Sequence, residues 1–147
     1  MKKAIAIFFL SFALSLSASA QIQTLLLFEN LDLTMERDFS PRKKTDAHWY
    51  RFLLDKDQGV EISLDSNSVF LSDENECGVI FEFFDPRGKK MPAGEDTTLD
   101  GEYWDGWIDR TGYHKLKIFM SCPEAFTVAD LQKKKPKFDY ALKISPK

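Results

Sequence analysis

The chain has 147 residues, a formal net charge of −3, 29% charged and 14% aromatic residues. That length bounds it at one ordinary domain. Its acid excess is the wrong electrostatics for a nucleic-acid binder, and thirteen Phe and three Trp give it too much core-forming material for a disordered chain.

The first twenty positions read as a secretory signal peptide. Met1-Lys2-Lys3 is a basic start, positions 4–16 are apolar with a few serines, and Ala18-Ser19-Ala20 is a small-residue cleavage site. Cleavage is expected before Gln21, leaving 21–147 as a single domain. Loss of Lys2 and Lys3 from the 20 Lys+Arg leaves 18 against 23 Asp+Glu. No later apolar run reaches the length of a membrane span. The chain is therefore expected to be exported, to the periplasm or beyond, with no integral membrane segment after cleavage. It is expected to act without an attached catalytic domain.

Downstream, the hydrophobic period is two rather than 3.6. Positions 22–28 suggest an edge strand. Tyr50, Phe52 and Leu54 alternate with Trp49, Arg51 and Leu53. Val60, Ile62 and Leu64 alternate with Glu61, Ser63 and Asp65. The link Asp55-Lys56-Asp57-Gln58-Gly59 has turn chemistry, so these two runs are expected to form a hairpin. Positions 78–84 are nearly all apolar, as in a central strand. Asp85-Pro86-Arg87-Gly88 then suits a type I turn. Positions 89–98 read as a polar loop, and 101–109 as a short strand. Thr111-Gly112 marks another turn. His114, Leu116, Ile118 and Met120 alternate with Tyr113, Lys115, Lys117 and Phe119 in a strand. Positions 121–136 read as a long polar connection, and Phe138, Tyr140, Leu142 and Ile144 share one face of a last strand. Short strands separated by turns, with almost no helix, predict an all-β fold: one antiparallel β-sandwich of about seven to nine strands.

Cys77 and Cys122 are the two cysteines. In an exported chain an even pair is expected to be a disulfide. Cys77 opens one expected strand and Cys122 follows another, so antiparallel pairing of those strands would bring both to one end.

Little in the chain suggests catalysis. His48 and His114 are the only histidines, and His114 has the inward parity of its strand. There is no G-x-S-x-G, H-E-x-x-H or phosphate-cradling glycine loop. A binding domain rather than an enzyme is expected, with no cofactor and no metal. Asp100, Glu102 and Asp105, with Asp73-Glu74-Asn75-Glu76, have oxygen ligands of the kind that hold Ca²⁺, but the spacing fits no EF-hand loop, and a solvated acidic loop is the expectation. Tyr103, Trp104 and Trp107 stand among acids and form a candidate carbohydrate platform. The plainer reading buries at least one of the two tryptophans. Lys133-Lys134-Lys135-Pro136-Lys137 offers contact with an anionic polysaccharide or lipid surface, or simply a solvated loop.

Three pieces stand in a familiar order: Trp49-Tyr-Arg-Phe-Leu-Leu-Asp-Lys-Asp-Gln-Gly-Val-Glu-Ile-Ser-Leu64, then Phe81-Glu-Phe-Phe-Asp-Pro-Arg-Gly88, then Thr111-Gly-Tyr-His-Lys-Leu-Lys-Ile118 with Phe138-Asp-Tyr-Ala-Leu-Lys-Ile144. Over positions 45–144 this resembles the bacterial pre-peptidase C-terminal (PPC) domain family, which implies a compact jelly-roll-like sandwich serving as a binding module. The chain also resembles the periplasmic inhibitors of goose-type and invertebrate-type lysozymes. Those carry a Ser-Gly-x-Tyr turn before the penultimate strand and a basic run before the last. Here Thr111-Gly112 holds the turn and Lys133-Lys134-Lys135 the basic run. The family tyrosine falls at His114, with Tyr113 one place earlier. The resemblance implies a protein-binding turn of Thr111, Gly112, Tyr113 and His114, and a basic partner such as a lysozyme. The oligomeric state is left open.

Overall fold

The computed structural model describes residues 22–25, 33–73, 75–92, 102–123 and 125–147. The expected signal peptide therefore lies outside the described residues, as do parts of the expected 22–28 strand, the 89–98 loop and the Asp73–Glu76 acids. Nine strands and one helix occur among the described residues. They are β1 (Ile22–Thr24), β2 (Leu33–Phe39), β3 (Ala47–Leu54), β4 (Gly59–Ser66), β5 (Val69–Phe70), β6 (Glu76–Phe84), β7 (Tyr103–Trp107), β8 (Gly112–Ser121), α1 (Val128–Lys134) and β9 (Phe138–Pro146).

The strands form two sheets. One has the order β1-β3-β8-β6-β5, the other β2-β9-β4-β7. All pairings are antiparallel except β1 with β3, which is parallel. Period-two alternation explains the layering, because it gives each strand one dry face. Tyr50, Phe52 and Leu54 of β3, Val79, Phe81 and Phe83 of β6, and Leu116, Ile118 and Met120 of β8 line the first inner face. Val60, Ile62 and Leu64 of β4 and Phe138, Tyr140, Leu142 and Ile144 of β9 line the second. Each such side chain, fully buried, contributes roughly 1.5–3 kcal/mol relative to exposure.

The disulfide joins Cys77 and Cys122, with Cα atoms 4.3 Å apart. The antiparallel register of β6 and β8 sets Gly78 beside Ser121, so the two cysteines meet just beyond that pair.

Two expectations are corrected. The runs of β3 and β4 do not form a hairpin: β3 pairs with β8 and β1, and β4 with β9 and β7. The link at 55–58 crosses between the sheets, so the dry faces of β3 and β4 oppose each other across the core. The polar connection at 121–136 contains the helix α1. Its N-cap Thr127 forms a capping box with Asp130, and Lys135 ends it in the left-handed conformation with φ 47°. Leu131 is the residue that α1 buries.

Candidate binding site

Three loops meet at the end of the sandwich where β8 begins. The first is 85–89. The Asp85 carboxylate is buried and accepts backbone N–H groups from Arg87 (2.9 Å) and Lys89 (2.8 Å), and Nε–H of Arg87 (3.0 Å). The Lys89 N–H bond, more than any other contact, holds this carboxyl below the usual carboxylate range, against the opposing cost of desolvation. This order fixes Pro86, which packs over Gly112: a Cβ on Gly112 would lie 2.8 Å from Pro86 Cγ, and φ there is +151°. The second loop, 55–58, turns at Asp57 with φ 65°. It is tied to the third, 108–111, by Asp57 N–H to Ile108 O (2.7 Å) and Ile108 N–H to Gln58 O (2.9 Å). Lys56 N–H donates to Thr111 Oγ1 at 2.9 Å, which fixes the hydroxyl oxygen and leaves its own hydrogen to donate.

Beyond Gly112 the strand parity divides the predicted residues. Tyr113 points outward and is 49% exposed, beside its cross-strand partner Leu53, 53% exposed. The Arg51 guanidinium lies 5.1 Å from the Tyr113 ring centroid. His114 points inward and is fully buried, its ring stacked on Phe83 at 5.5 Å. Nδ1–H donates to Gly112 O at 3.0 Å, since a carbonyl only accepts. Nε2 has no hydrogen-bond partner. Burial lowers the pKa of this imidazole. At this turn Thr111 and Tyr113 are exposed, whereas the His114 side chain is buried.

His48 lies at the far end of β3. Its Nδ1 meets the Tyr140 hydroxyl at 2.8 Å, and Tyr140 meets the Tyr50 hydroxyl at 2.5 Å. Burial, then the nearby Arg37, lowers the His48 pKa, while burial raises that of Tyr140. Sequence patterning gave no signal for this tyrosine–histidine chain, because its members come from strands about ninety positions apart. Among the described residues neither imidazole hydrogen-bonds a serine, threonine or cysteine side chain, and no cluster of three metal-ligating side chains occurs.

The three aromatic candidates of β7 do not share a surface. Trp104 is buried, edge-on to Phe83 at 4.8 Å, and its Nε1–H donates to Pro92 O at 2.8 Å. Trp107 is 64% exposed and lies beside Gly59, where a Cβ would come within 3.2 Å of its ring. Tyr103 is half-buried and has the same outward parity as Trp107. A three-ring carbohydrate platform is thus corrected to two outward rings at the ends of one short strand.

The two stacked, mainly antiparallel sheets define a β-sandwich. No protein-family model matches the chain, and no curated protein matches it by sequence. Among solved structures it is similar to PliG of Aeromonas hydrophila, a periplasmic inhibitor of g-type lysozyme. The TM-score is 0.54 and the identity 12%, over 86% of this chain and 98% of that one. It is also similar to the pre-peptidase C-terminal domain of collagenase from Bacillus anthracis, with TM-score 0.50 and 10% identity over 86% of this chain and 97% of that one. At such identities the likeness establishes the fold.

Proposed function

We propose that the chain is an exported, non-catalytic domain that inhibits a lysozyme-type cell-wall hydrolase by docking its Thr111–Tyr113 surface. The observation that carries this reading is the rigid, paired presentation of a hydroxyl and an aromatic ring at one end of the sandwich. Thr111 is held by Lys56 N–H, Gly112 is clamped under Pro86, and Tyr113 stands exposed against Leu53 and Arg51. Tyrosine and arginine are enriched among residues that dominate binding energy, and pre-ordered loops lose little entropy on docking. The fold shared with a g-type lysozyme inhibitor supports the same reading. With positions 1–20 removed, the acid excess would speed encounter with a basic protein such as a lysozyme. The test is lysis of purified cell walls by goose-type, invertebrate-type and chicken-type lysozymes with the protein added at micromolar concentration. Slowing of at least one is expected, and unchanged rates with all three reject the reading.

A second reading, a carbohydrate-binding module, rests on exposed Trp107 and outward Tyr103. Tryptophan fluorescence titrated with soluble glycans separates the two, since only this reading predicts a saturable change.

A further inference from the structure

The end of the sandwich opposite the Thr111 turn is built differently. Antiparallel pairing of β3 with β8 and of β2 with β9 brings the 40–46 loop beside the 122–137 connection. Two basic runs far apart in sequence thereby become one surface. Arg42, Lys43 and Lys44 come from the loop, and Lys133, Lys134 and Lys135 from the last turn and cap of α1. All six are exposed, and none forms an ion pair among the described residues. Lys137 differs, because it pairs with Asp38 at 3.0 Å.

Two acids among the described residues of these segments are already engaged. Asp46 accepts the backbone N–H groups of Arg42 (2.7 Å) and Lys43 (3.0 Å), and Asp130 completes the capping box of α1. Between the two runs lies a cleft of about 620 Å³, lined in part by the apolar Pro41, Val128 and Leu131 and by the cationic Arg42, Lys43 and Lys135. Val128 is 47% exposed, although valine is usually buried. Phe126 carries Lys44 4.6 Å from its ring centroid, so this ring is not a free platform for a sugar.

We infer that this end of the molecule rests on the anionic headgroup surface of a phospholipid bilayer. Charge complementarity selects an anionic partner, since among the described residues of these two segments six cations stand with two acids, Asp46 and Asp130, in an otherwise acidic chain. The apolar cleft and exposed Val128 suit the headgroup–acyl boundary, a feature that charge pairing with a soluble acidic glycan would leave unused. Clusters of four to eight Lys/Arg bind anionic leaflets through the surface potential. The turn proposed to bind an enzyme would then point away from the membrane, about 30 Å distant along the ten residues of β8.

The test is sedimentation of the exported protein with vesicles of phosphatidylcholine, with and without phosphatidylglycerol, at low and high salt. Binding is expected only with phosphatidylglycerol, and it should weaken as salt rises. Substitution of Arg42, Lys43 and Lys44 by Gln, or separately of Lys133, Lys134 and Lys135 by Gln, should each lower partitioning on the order of a hundredfold, at about fivefold per cation. Gln at Lys89, Lys115 and Lys143, which lie elsewhere, removes the same charge and should cost only a few-fold. The inference is overturned by any of three results. One is no sedimentation with phosphatidylglycerol vesicles. Another is equal losses from all three triple variants. The third is binding to a soluble acidic polysaccharide without binding to vesicles.

Discussion

At the scale of single residues, the most constrained positions frame the Thr111 turn. Gly112 needs both its backbone conformation and its missing Cβ, because Pro86 occupies that space. Gly112→Ala is expected to destabilise the fold by about 2 kcal/mol or more, read from urea unfolding. An unchanged midpoint would mean that Pro86 can move aside. His114 makes stability depend on pH. Burial places its folded pKa below the ordinary 6.5, so the fold keeps it neutral. As pH falls through about 6.5 the unfolded chain takes up a proton that the folded chain refuses. The stabilising contribution is therefore full above that value and is lost as pH falls towards the folded pKa. His48 acts in the same direction, through burial and Arg37. The urea midpoint should drop between about pH 7.5 and about pH 5.5, and His114→Leu should flatten that slope. A slope unchanged by the substitution would show that His114 accepts a proton inside the fold.

At the scale of elements, the disulfide links the strand ends beside the cationic patch. It closes a separation of 45 residues, which corresponds to about 4 kcal/mol in the chain-entropy description. Reduction, or Cys77→Ser with Cys122→Ser, should lower stability by that order, and a loss under about 1 kcal/mol would contradict the account. The cysteine pairing was legible because it needed only strand ends and an antiparallel neighbour. The pairing of β3 with β4 was misread because alternation specifies which face is dry, not which strand lies alongside. The four-residue link at 55–58 has turn residues whether it joins neighbours or crosses between sheets. β2 escaped notice because Arg37 interrupts its inward series of Leu33, Met35 and Phe39. Arg37 is tolerated at an inward position because β2 is an edge strand and the side chain stays exposed. α1 left one signal, the Thr127-x-x-Asp130 capping pair, within a stretch too polar and short to show a helical stripe.

At the scale of the whole molecule, the two ends of the sandwich carry different chemistry on one scaffold. The division of Tyr113 from His114 follows from parity along β8 and was legible in the sequence. The clamp around Thr111 and Gly112 was not, since Lys56 and Pro86 reach it from two other loops. The cationic end was half legible: each basic run is plain in the sequence, but only the topology unites them. It also bears on the docking proposal, because a basic enzyme is repelled from that end and left to meet the other. The most direct measurement is the inhibition constant for the lysozyme that responds, compared between the native protein, Tyr113→Ala and Trp107→Ala. Loss of a central hot-spot ring is worth about 2 kcal/mol, roughly thirtyfold. The account predicts that weakening for Tyr113→Ala and near-native inhibition for Trp107→Ala. Native inhibition by Tyr113→Ala together with loss in Trp107→Ala would move the binding surface to the other sheet and contradict the claim.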